Sequence, residues 1–165
     1  MQNSLFLLCP TDNLEYLINT VYSYDNYFYT SLGNTFSTDE ETMKSLEQLI
    51  LAKNISNIYF ILSNENKIIL DALESQYFKN IVGLKRLHKN IEKQKQHSKY
   101  WANNYSKHLL FSYYLNHKIN KLCLDLKPLL LQKKIIIKGK IYNQSEDKFH
   151  PIYSNLICKE KFQFN

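Results

Sequence analysis

Two short polar stretches follow apolar runs and carry the side chains best placed for chemistry. "LFLLCP" ends in Cys9 and Pro10, with Thr11, Asp12 and Asn13 next; "YFIL" runs into Ser63, Asn64, Glu65 and Asn66. A thiol at the first stretch could act as a nucleophile, but it would need a base and a lowered pKa. Asp12 and Glu65 could face one crevice as an acid and a base, or could be solvated helix caps. Neither stretch has a Gly-rich phosphate loop or a Lys-Ser pair.

The remaining candidates are weaker. Cys123 sits in an apolar helical pattern and reads as core, and Cys158 lies in the tail. His88 and His97, like His108 and His117, are nine apart. Ligands on one helix face would be four apart, so these read as exposed or capping histidines, not metal ligands.

The elements that must position these groups alternate. "NSLFLLCP" (3–10) predicts a buried strand closed by Pro10, and "TDNLEYLINTVYS" (11–23) a helix capped by Thr11 or Asp12. "NYFYTS" (26–31) predicts a second strand and "LGN" (32–34) a turn. "STDEETMKSLEQLILAKN" (37–54) predicts a helix with a capping box, Ser37 with Glu40 or Thr38 with Glu41. "NIYFIL" (57–62) predicts a third strand and "ENKIILDALESQ" (65–76) a helix.

Strands in alternation with helices imply βαβ units, and near-continuous apolar strands imply a sheet covered on both faces. In the second half, residues 79–99 predict a solvated helix packing through Leu84, Leu87 and Ile91. Residues 107–131 predict one or two helices, and 134–153 a strand, a polar turn at Gln144–Asp147 and a returning segment. No repeat or linker divides the chain, so residues 1–165 are read as one α/β domain.

Composition narrows the function classes. The chain has 165 residues, 44% hydrophobic, and no apolar run near the length that crosses a bilayer. Leu5–Leu8 is too short and lacks the basic flank of a signal peptide. Three scattered cysteines fit reduced thiols, so a soluble, cytoplasmic protein is expected, with no membrane partner. The net charge of +6 invites a nucleic-acid reading, but Arg86 is the only arginine and the rest is Lys. Abundant Asn, Ile, Tyr and Lys fit an AT-rich genome, and arginine is the better residue for guanine and phosphate. No nucleic-acid partner is expected.

The order of these pieces resembles the β-class carbonic anhydrases over about residues 4–150. The family's Cys-x-Asp-x-Arg motif falls on "CPTDN", which keeps Cys9 but has Thr11 for the Asp and Asn13 for the Arg. Its "AGN"-like turn matches "LGN" (32–34), and its Pro followed by a Gly-x-x-Tyr strand matches Pro128, Gly139 and Tyr142. Its second zinc motif, His-x-x-Cys, falls on Ser63 and Asn66.

The resemblance implies a three-layer fold with a mainly parallel sheet of order 2-1-3-4, with strands near 4–9, 27–31, 57–62 and 134–142. An antiparallel edge strand near 148–153 is also expected. It implies association into dimers or larger assemblies, to which the 13 Tyr and 9 Phe could contribute.

The chemical motifs are broken. In the family, two Cys and one His hold a zinc that activates water. Here only Cys9 would ligate well, so no metal, no cofactor and no carbon dioxide hydration are expected. Two readings stand. One is a non-catalytic carbonic-anhydrase-like protein that binds a small polar ligand or a partner near Cys9, Thr11, Asn13, Ser63 and Asn66. The other is a metal-free enzyme built around Cys9, Asp12, Ser63 and Glu65.

Overall fold

The computed structural model describes residues 3–98 and 107–153, without the side chains of 95–98. β1 (Asn3–Leu8) is followed, after Cys9, by a 3-10 turn, Pro10–Asp12, that starts at the proline, and then by α1 (Glu15–Val21). β2 (Asn26–Thr30) leads to a second 3-10 turn, Leu32–Asn34, then α2 (Glu40–Ala52) and β3 (Ile55–Ser63). Next come α3 (Lys67–Leu73), α4 (Lys85–Ser98), α5 (Lys107–Asp125) and α6 (Lys127–Gln132). β4 (Ile136–Asn143) and β5 (Lys148–Pro151) close the described chain, joined by the four-residue turn at 144–147.

The sheet runs β2-β1-β3-β4-β5. The first four strands are parallel, and β5 is antiparallel on the edge. The expected order holds, and β1 lies inside the sheet, which is why Leu5, Phe6, Leu7 and Leu8 are all fully buried. A strand covered on both faces has no solvent side to give to polar residues.

The two faces pack differently. Phe6, Leu8 and Ile61 meet Leu14 and Ile18 of the α1 segment, joined by a ring cluster in which Phe6 stacks on Tyr59 at 5.2 Å. Leu5, Leu7, Phe60 and Leu62 face the larger core built with α2 to α6. Leu87 and Ile91 of α4, with Leu84 just before it, are buried there, as their spacing predicts. Gly139 of β4 is required by packing: a Cβ there would meet Ile152 at 2.5 Å and Ile119 of α5 at 3.2 Å.

Four helix starts differ from expectation. The 11–23 segment is not one helix: Asn13 takes a left-handed conformation, φ 52°, and α1 begins after Leu14 with no side-chain cap. Asp12 does not cap it, because its carboxylate turns to β3 instead. α2 is capped by Asp39, which accepts from the Thr42 N–H at 2.8 Å, while Ser37 donates to the Asp39 carboxylate. α3 starts later than expected, because Asn66 is its cap. α4 starts at Lys85, behind a run of turns after α3.

Candidate functional site

The carboxyl ends of β1 and β3 are neighbours, so the two polar stretches that follow them meet. Asp12 is the centre. One carboxylate oxygen accepts from the Ser63 N–H and the other from the Asn66 side-chain amide, each at 2.8 Å, across more than fifty positions. Asn66 is fully buried, and its amide oxygen accepts from the Ile69 N–H at 2.9 Å. Both ends of that amide are therefore committed, one to the carboxylate and one to the first turn of α3. Ser63 is buried and its hydroxyl accepts from the Glu65 N–H at 3.2 Å.

Burial pushes the Asp12 carboxyl up to about 6, against the lowering pull of the Ser63 N–H and the Asn66 amide; Glu15 adds a small upward push. Desolvation outweighs the two hydrogen bonds because the group sits in a low-dielectric corner between two strand ends. The carboxyl is thus a base that titrates close to neutral pH, held by two fixed donors.

Cys9 belongs to a second cluster. Its sulfur is almost fully buried, accepts the Gly33 N–H at 3.1 Å, and lies 3.1 Å from the Thr11 hydroxyl. The Gly33 turn is clamped further. Tyr114 donates to the Gly33 carbonyl, and the Asn34 amide donates to the carbonyls of Leu7 and Ile61. Gly33 has φ +58°, and a Cβ there would meet Leu87 at 2.6 Å.

The sequence-expected residues thus divide. Asp12, Ser63 and Asn66 come together; Cys9 and Thr11 pair beside them; Asn13 is exposed on its left-handed turn. Glu65 does not join: its carboxylate pairs with Lys107 of α5 at 3.1 Å. His88 is not exposed as read but buried, 3.6 Å from the Asp71 carboxylate, which itself accepts the N–H groups of Tyr77 and Phe78. Cys123 is half-buried and not full core; Cys158 and His97's side chain lie outside the described residues.

Sequence reading missed a cleft of about 400 Å³ lined by Asn64, Lys107, His108, Asn143, Glu146 and His150 among others. His150 meets Glu146 at 2.8 Å, and burial lowers the His108 imidazole. These residues come from α5 and the β4–β5 hairpin, and nothing local in sequence joins them. Tyr114 was equally invisible as a clamp, since nothing local in sequence ties it to Gly33, 81 positions earlier.

The zinc that the resemblance implies does not fit these residues. Cys9 sulfur, Ser63 hydroxyl and both ends of the Asn66 amide are already in internal hydrogen bonds. A zinc site needs three good protein ligands free to converge, and among the described residues no group of three or more His, Cys, Asp or Glu could hold a metal ion.

No family model matches the sequence, and no curated protein matches it. Solved structures do match. The chain is similar to the β-carbonic anhydrase CafD of Aspergillus fumigatus, with 13% identity, 92% of this chain and 90% of that one covered, and a TM-score of 0.73. It is similar to tetrameric β-carbonic anhydrases of Sordaria macrospora, with 12% identity, 92% and 81% covered, and a TM-score of 0.73. It is also similar to the Coccomyxa β-carbonic anhydrase, with 10% identity, 91% and 71% covered, and a TM-score of 0.69. With these likenesses added to the strand order, the chain has the β-carbonic anhydrase fold.

Proposed function

We propose that this is a non-catalytic protein of carbonic anhydrase fold, holding no zinc and serving a binding or interaction role. One observation carries the reading: the Asp12 carboxylate closes on the Ser63 N–H and the Asn66 amide, at the positions where the resemblance implies zinc ligands. A site whose polar groups satisfy one another is organised for hydrogen bonding, not for a dication. The same groups, with Thr11 and Asn13 exposed beside them, suit a small polar ligand. A cytoplasmic place and a dimer or larger assembly belong to the same proposal. The support for assembly is the tetrameric state of the Sordaria relatives and exposed apolar side chains such as Tyr16, Val82 and Leu131.

The metal-free enzyme is the second reading, and the near-neutral carboxyl of Asp12 is what favours it. Against it, Cys9 and Glu65 make their side-chain contacts elsewhere, with Gly33 and Lys107.

The test is to purify the protein with zinc supplied, measure metal by elemental analysis, and follow carbon dioxide hydration by stopped flow. Sub-stoichiometric zinc and a background rate are expected. Stoichiometric zinc with activity abolished by Cys9→Ala would overturn the proposal. Light scattering at tens of micromolar should give at least a dimer mass, and a monomer mass would remove the assembly proposal.

A further inference from the structure

The connection between α3 and α4 displays apolar side chains to solvent, and it is anchored at both ends. The Asp71 carboxylate accepts the N–H groups of Tyr77 and Phe78, each at 2.9 Å, and Leu84 is buried just ahead of α4. Between these anchors Tyr77, Ile81 and Val82 are exposed, Val82 at 91%. Gly83 follows at φ +93°, and a Cβ there would meet no atom within 4 Å. The turn at Val82 therefore stands clear of the body of the protein. Single exposed apolar residues are ordinary, but three on one anchored connection mark an interaction surface.

The surroundings of the turn are basic. α4 starts directly behind it, and Lys85, Arg86 and Lys89 are all exposed there. Lys89 lies four and three positions after the other two, so the three share the outer face, while Leu87, His88 and Ile91 are buried on the inner one. Lys79, also exposed, adds a cation within the connection itself. No Asp or Glu stands between Glu74 and Glu92. Among the described residues, the ion pairs are His88 with Asp71, Lys107 with Glu65, and His150 with Glu146, none of which involves these cations.

We propose that the turn between α3 and α4 is a docking surface for an anionic lipid bilayer. Ile81 and Val82 enter the boundary between headgroups and acyl chains, and Lys79, Lys85, Arg86 and Lys89 lie against acidic headgroups. Charge complementarity and shape select this occupant. A second copy of the chain would set cation against cation. A nucleic acid would meet the cations, but an aliphatic tip gives its bases no ring to stack on. A bilayer takes a protruding apolar tip to a depth of about 5–10 Å, and each Lys or Arg beside an anionic leaflet adds attraction. Such contact needs no spanning segment, and no helix among the described residues is long and apolar enough to cross a membrane. The surface is separate from the Asp12–Ser63–Asn66 cluster and does not depend on the role given to it.

The experiment is flotation of the full chain with vesicles at pH 7 and physiological salt. The probes are vesicles of phosphatidylcholine alone and of phosphatidylcholine with about a third phosphatidylserine. The proteins are the wild type, Val82→Asp, the double variant Lys85→Gln with Arg86→Gln, and two remote controls, Leu131→Ser and Lys138→Gln. All the replaced side chains are exposed, so the variants keep the fold. Binding to the anionic vesicles is expected, at least about tenfold tighter than to the neutral ones. Val82→Asp and the double variant should each weaken it about tenfold or more, and the controls should leave it unchanged. No binding to anionic vesicles, equal binding to both kinds, or equal loss in Leu131→Ser and Val82→Asp would overturn the proposal. So would a lower mass of Val82→Asp by light scattering, which would make the turn a contact between copies, or tighter binding to an RNA duplex than to the vesicles.

Discussion

Tyr114 of α5 donates its hydroxyl proton to the carbonyl of Gly33, 2.7 Å away and 81 positions earlier in the chain. The phenol is almost fully buried, and burial raises its pKa, so it stays a neutral donor over the working pH range. Tyr114→Phe keeps the ring but strands a buried carbonyl. The expected loss is about 1–3 kcal/mol, read as a lower urea midpoint with an unchanged slope. A variant as stable as the wild type would show that the clamp carries no energy.

Gly33→Ala should cost more. The residue sits at φ +58°, and the added methyl meets Leu87 and Ile68 at 2.6 and 2.9 Å. Backbone strain of about 1–2 kcal/mol adds to overpacking of about 1–3 kcal/mol. Thermal melts should show a loss near the sum, and a loss below about 1 kcal/mol would contradict the packing described.

Asn66→Ala removes the cap of α3 and one donor to Asp12 together. A lost cap costs about 1 kcal/mol and a half-deprived buried carboxylate about 1–3 kcal/mol. An expected loss of about 2–4 kcal/mol is paired with a carboxyl titration of Asp12 that moves further up, read by carbon-13 NMR. An unmoved titration would separate Asn66 from Asp12.

The Asp12 carboxyl itself should titrate near 6, raised by burial from an ordinary 3.8. The native state then binds a proton that the unfolded chain has released. This contribution to stability is complete below about 3.8 and is lost as pH rises through about 6. After discounting for partial exposure, it amounts to about 1–2 kcal/mol. Asp12→Asn should lack this dependence, so wild type minus variant, measured by urea melts from pH 7 to pH 4, should grow as pH falls. A flat difference would count against the raised pKa.

Much of the fold was legible. β1 and β3 announce themselves as apolar runs because burial on both faces leaves no room for alternation, and the order of pieces implied where they lie in the sheet. The capping of α1 and α3 was not legible. Asp12 and Asn66 are both residue types that cap helices, and local sequence cannot say that one will reach across to β3 while the other keeps its helix. Long-range partners, Ser63 and Asn66, decided the case of Asp12, while Asn66 keeps the local bond from the Ile69 N–H three positions on. The resemblance pointed to Cys9, Ser63 and Asn66 as the positions that correspond to the family's zinc motifs. The Tyr114 clamp and the β4–β5 cleft were not legible, because they are joined only by the packing of α5 against the sheet.

The hydrogen-bonded closure of Asp12 on Ser63 and Asn66 also shapes what mutation can reach. Replacing Asn66 by Cys unseats the α3 cap and half-strands a buried carboxylate before any second ligand exists to bind a metal. Placing His at Ser63 displaces the hydroxyl that accepts the Glu65 N–H, again with no ion to offset the loss. Each single step lowers stability, and the reward of metal binding arrives only when all the ligands are in place. The site therefore lies in a basin with steep walls, and a route to a metal centre has to begin with stabilising changes elsewhere in the protein.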